Sequence, residues 1–105
     1  MTDTPPRRIV AAAADLLFTS RIRAAAADAG AQADFARSWE ALQDKVAGAA
    51  LVILDLDTRW LDAAAHVAAL KQDPRTAAVP VVAFVSHVRT DAIEAARAGG
   101  ADRVL

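Results

Sequence analysis

Ser86 and His87 set a nucleophile type next to a base type. Neighbours in sequence rarely face each other, and no orienting acid is identifiable, so a hydrolase reading is disfavoured. His66 lies four residues before Leu70 in a helical pattern and reads as a flank residue rather than a metal ligand. Trp39 and Trp60 read as packing residues at the starts of helices. There is no cysteine, which excludes disulfides and thiolate metal sites. Neither GxGxxG nor GxxxxGK[ST] occurs, so dinucleotide and P-loop phosphate binding are unsupported. That leaves the carboxylates at the ends of apolar runs. Asp15 follows Arg8-Ile9-Val10-Ala11-Ala12-Ala13, and Asp55 and Asp57 close Leu51-Val52-Ile53-Leu54-Asp55-Leu56-Asp57. As structural residues they would cap helices or sit solvated at strand ends.

The elements that position them follow from pattern. Pro5-Pro6 punctuates a polar, disordered or extended lead over residues 1–7. The first strand runs over 8–13, although its alanines favour helix. A helix follows from Leu16 to Ala29, capped by Asp15 and stopped by Gly30. An edge strand over 31–36 and a helix from Ser38 through Val46 come next, with Trp39, Leu42 and Val46 on one face. The run 50–56 is short and continuously apolar, as a central parallel strand buried on both faces would be. The spacing predicts a helix over 60–71, ended by Asp73-Pro74, and a strand over 79–85. Thr90 or Asp91 opens a helix to Ala98, Gly99-Gly100 ends it, and Arg103 to Leu105 begins a fifth strand. Strands alternating with helices imply an α/β fold with a parallel sheet.

Two stretches carry a resemblance. LVILDLDTRWLDA resembles the segment that holds the phospho-accepting aspartate in receiver domains of bacterial two-component response regulators. VPVVAFVSHVRTDAIEAARAGGADRVL resembles their fourth and fifth strands, with Ala-Gly-Gly-Ala-Asp before the last one. The resemblance spans 8–105 and implies a receiver-like domain. Its fold is a flavodoxin-like, doubly wound five-stranded parallel sheet in the order 2-1-3-4-5, with the fifth helix missing from this chain. It also implies a site: an acceptor aspartate, an acidic pair for Mg²⁺, a Thr or Ser ending strand four, and a Lys after strand five. Asp55 occupies the acceptor position. The acidic pair falls on Ala13 and Ala14, with Asp15 third. The hydroxyl position falls on Val85, and Ser86 comes one residue late. The Lys would fall two residues beyond Leu105. Arg59 replaces the usual proline, and Ala63 the glycine near Asp62.

A phosphoryl group on Asp55 would bring about two negative charges near Asp57 and Asp15. At an effective dielectric near 20, two unit charges about 5 Å apart cost roughly 3 kcal/mol. The expectation is therefore a receiver-like signalling module that is not efficiently phosphorylated, needs no cofactor, and is not an enzyme. Asp15, Asp55 and Asp57 could at most hold Mg²⁺ weakly. The alternative is a working, atypical receiver phosphorylated on Asp55 by a histidine kinase.

Composition narrows the partners. Twelve basic and thirteen acidic residues give a net charge of −1, which argues against nucleic-acid binding. No apolar stretch is long enough for a membrane span and the start is not a secretory signal, so a cytoplasmic location is expected. The expected partner is a protein: a signalling component, a histidine kinase or an output domain. Arg21 and Arg23 form the solvated side of the first helix or contact an acidic partner. Of the 105 residues, 29 are alanine, so the helices are thin. Without a fifth helix, one face of strands three to five would stay uncovered, and the expectation is that a longer native chain covers it, with a homodimer or another protein as the alternatives. Val52 and Ile53 are both expected to be almost fully buried, on opposite faces.

Overall fold

The computed structural model describes residues 7–13, 15–85 and 90–105. The expectations placed on the lead at 1–6, on Ala14, and on Ser86 and His87 lie outside these residues. Nine elements alternate: β1 (Arg7–Ala12), α1 (Leu16–Asp28), β2 (Ala31–Phe35), α2 (Trp39–Val46), β3 (Leu51–Asp55), α3 (Ala63–Gln72), β4 (Val81–Phe84), α4 (Thr90–Gly99) and β5 (Arg103–Val104). All strand pairs are parallel, in the order β2-β1-β3-β4-β5, so β3 is central as expected.

Local chemistry sets most boundaries. Asp15 accepts the Leu17 N–H at 2.7 Å and caps α1, and Ser38 accepts the Ala41 N–H and caps α2. Arg7, expected in the lead, pairs with Ala31 and belongs to β1. The third helix starts three residues later than the spacing predicted. Asp62 is its N-cap, accepting the Ala65 N–H, which leaves Trp60 and Leu61 in the preceding loop. Glycines shape the turn before β5. A Cβ at Gly99 would lie 3.1 Å from the Ala68 nitrogen, so its absence lets α4 approach α3, and Gly100 turns at φ +102°.

Period-two alternation divides the sheet into two unlike faces. Val10, Ala12, Val52, Leu54, Val81 and Ala83 point to one side. There Leu42 and Val46 of α2, Val67 and Leu70 of α3, and Ala92 and Ala96 of α4 close a dry core over them. On the other side, α1 is the one helix among the described residues. Ala11 and Ala26 are buried, and Phe18 meets Phe84 with ring centroids 4.9 Å apart. Beyond α1, Ile9, Leu51, Ile53, Val82 and Phe84 floor an open apolar groove of about 580 Å³.

Here one expectation fails. Val52 is fully buried, whereas Ile53 is only partly so and lines the groove. No helix among the described residues covers β3 and β4 on that side. The uncovered face expected from the sequence is therefore present, and Ile53 is part of it.

Asp102 ties β5 to the core side. Its Oδ2 accepts the Val81 N–H at 2.7 Å and the Lys71 ammonium at 2.9 Å, while Lys71 also donates to the Val79 carbonyl. The backbone bond first, and Lys71 second, hold its carboxyl below the usual carboxylate range.

Candidate functional site

Asp55 ends β3 at the carboxyl edge of the sheet, where open α/β sheets carry their ligand sites. Its neighbours across the ladder and in the next turn fix it. It pairs in register with Phe84, and the Leu56 N–H donates to the Phe84 carbonyl. The chain then turns sharply: the Asp57 N–H donates to Asp55 Oδ1 at 2.9 Å, and the Thr58 N–H donates to the Asp55 carbonyl at 3.0 Å. Buried Thr58 reaches back toward the Ala12 carbonyl of β1. Asp55 itself is 1% exposed.

The other site residues gather only in part. Asp57 follows the acceptor and lines a polar pocket of about 430 Å³, with Arg59 and Asp62 on the loop side and Asp91 of α4 opposite. Asp15 turns elsewhere, its carboxylate engaged at the start of α1. Ala13 lies just past β1 and lines a separate cleft with Leu16, Ser20 and Phe35. Val85 directly follows β4 and packs against the core, a methyl-bearing side chain where the resemblance calls for a hydroxyl. Among the described residues no three His, Asp or Glu side chains group to hold a metal. Asp15, Asp55 and Asp57 therefore form no such group.

Sequence reasoning missed an aromatic cluster beside this loop. Trp39 and His66 stack face to face, 4.2 Å between centroids and 8° between planes, and Trp60 tilts onto His66 at 6.4 Å. His66 Nδ1 accepts the Asp62 N–H at 2.9 Å, so the imidazole caps the helix that carries it. The N-cap Asp62 four residues upstream was the only available signal, and i,i+4 neighbours on a helix do meet.

The fold is that of response-regulator receiver domains. The Vibrio cholerae chemotaxis protein CheY4 superposes with a TM-score of 0.79 at 16% identity, covering 96% of this chain and 86% of its own. The phosphorylated cyanobacterial phytochrome response regulator RcpA gives 0.81 at 17%, covering 96% and 80%. The signal receiver domain of a DNA-binding response regulator from Colwellia psychrerythraea 34H gives 0.79 at 20%, covering 94% and 84%. No protein-family model matches the sequence, and no curated protein matches it.

Proposed function

We propose that this chain is a receiver-like protein-interaction module in signalling that does not take a phosphoryl group efficiently at Asp55. One observation carries the reading. The Asp55 carboxylate is buried and accepts the Asp57 N–H of its own turn, and the resemblance puts Ala13 where a metal-holding carboxylate would stand. Phosphoryl transfer depends on positioning and charge neutralisation, and an added dianion here would stand beside the Asp57 carboxylate. The module needs no cofactor, holds Mg²⁺ weakly at best, performs no catalysis and works in the cytoplasm. It acts by binding a protein, either a histidine kinase or an output domain.

The second reading is a working receiver, phosphorylated on Asp55 by a histidine kinase. The position of Asp55 at the end of the central strand favours it. Incubation with a small phosphodonor and Mg²⁺, followed by intact-protein mass spectrometry, separates the two. No adduct is expected. An adduct that disappears in Asp55→Asn establishes the second reading instead. A homodimer through the open sheet face is a further form of the interaction reading, checked by sedimentation equilibrium over a range of concentrations.

A further inference from the structure

We propose that the cleft between α1 and the turn after β2 binds a small phosphomonoester, held without a covalent bond. The site goes beyond the interaction-module reading and makes no use of Asp55, which is not among its lining. One wall is α1. Leu16, Ser20 and Arg23 stand four and then three residues apart, so they share one face of the helix. The other wall is Phe35 at the end of β2, with Arg37 two residues on. Phe35 pairs in register with Ala11, on the α1 side of the sheet, which brings its ring to Arg23. The guanidinium carbon of Arg23 lies 4.9 Å from the Phe35 ring centroid. Attraction to the negative face of the ring holds this cation at the cleft wall, where a free arginine would sweep through solvent.

The charge there is unanswered. Among the described residues neither Arg23 nor Arg37 makes an ion pair, and no acidic residue lines the cleft. Carboxylates close by in sequence are placed elsewhere. Asp34 alternates to the α2 side of the sheet, where Lys45 holds it at 3.1 Å. Asp15 caps α1, and Glu40 sits exposed on the first turn of α2, outside the lining. The Thr19 hydroxyl donates to the Asp15 carbonyl at 3.1 Å, which leaves the exposed Ser20 hydroxyl to serve the cleft. Two guanidinium forks and a hydroxyl match the three oxygens and about two negative charges of a phosphomonoester. A carboxylate, with one charge and two oxygens, would leave one arginine unanswered. Leu16 is 84% exposed and lines the cleft with Ala13 and Ala36, which suits an ester bearing an apolar group better than bare phosphate. The volume, about 310 Å³, fits a small molecule rather than a length of peptide.

The test titrates phenyl phosphate into the protein and follows amide and arginine side-chain NMR shifts. Saturable shifts are expected at Ser20, Arg23, Phe35 and Arg37, with a Kd on the order of 1 mM. Inorganic phosphate lacks the apolar group and benzoate lacks the second charge, so each should bind about tenfold more weakly. Arg23→Gln and Arg37→Gln should each weaken phenyl phosphate about tenfold, because a charge-assisted hydrogen bond is lost. Ala13→Asp, which adds a carboxylate to the lining, should weaken it too. Arg103→Gln, exposed on β5 and outside the cleft, should leave it unchanged. Circular dichroism checks that each variant is folded. No saturable shift, equal binding of inorganic phosphate or benzoate, or an unchanged affinity in either cleft arginine variant would each overturn the proposal. A phosphoryl adduct on Asp55 would overturn the function reading alone.

Discussion

Val52 and Ile53 are adjacent on β3, and the structure assigns them opposite surroundings, so truncating each measures the two faces separately. Val52 is fully buried beneath α2, α3 and α4. Val52→Ala removes two carbons at about 0.8 kcal/mol each. In a closed core it also leaves a void of roughly 50 Å³, adding about 1 kcal/mol at about 24 cal/mol per Å³. The expected loss is about 2.5–3 kcal/mol. Ile53→Ala removes three carbons, more than the valine change. Its side chain is already partly wetted, however, and it lines an open groove where no sealed void can form. The expected loss is about 1.5 kcal/mol. The smaller truncation should therefore cost more. At about 4–8 °C per kcal/mol for a domain near this size, the Tm values of the variants should differ by several degrees. Urea titrations followed by circular dichroism give both free energies, with unchanged m-values as the check on two-state behaviour. An Ile53→Ala loss equal to or above that of Val52→Ala would mean that the groove is closed in solution, and the distinction between the two faces would be wrong.

Ala13→Asp combined with Ala14→Asp should raise Mg²⁺ affinity, read by isothermal titration calorimetry; an unchanged affinity would show that these are not the acid-pair positions. Asp102 has a folded pKa below its ordinary value of 3.8, because the Val81 N–H and Lys71 favour the carboxylate. Its contribution is therefore complete above the unfolded value and drains away as pH falls through the lower folded one. Asp102→Asn should cost about 1–2 kcal/mol near neutrality, discounted for a side chain that is 48% exposed, and progressively less in urea melts taken at lower pH. His66→Ala should cost about 1–2 kcal/mol through the lost Trp39 stack and the unpaired Asp62 N–H, and should shift tryptophan emission to the red.

The alternation of strands and helices and the central, buried β3 were legible from local signals, while the strand order came only with the family resemblance. A run such as Leu51 to Leu54 is apolar at every position only when both faces are meant to be covered. The caps at Asp15, Ser38 and the turn at Gly100 are chemistry within a few residues. The start of α3 was misplaced because Trp60 and Leu61 continue a helical apolar pattern, yet Asp62 offers a better cap than any residue before them. The Trp39–His66 stack was illegible because it joins two helices whose relative rotation no local pattern fixes. Asp15 was read both as a cap and as a weak ligand, since both roles suit a carboxylate just past a strand, and the structure bears out the cap.

Ile53 shows how a pattern can be right while its consequence is not yet met. Its type demands burial as much as that of Val52, and the α2, α3 and α4 side supplies it for Val52 alone. The five apolar residues on the groove floor carry the composition of an interior in the position of a surface. At the carboxyl end of the sheet, Ala13 and Val85 stand where the resemblance calls for an acidic and a hydroxyl side chain. The two ends can be tested separately, since the groove and Asp55 share no residue.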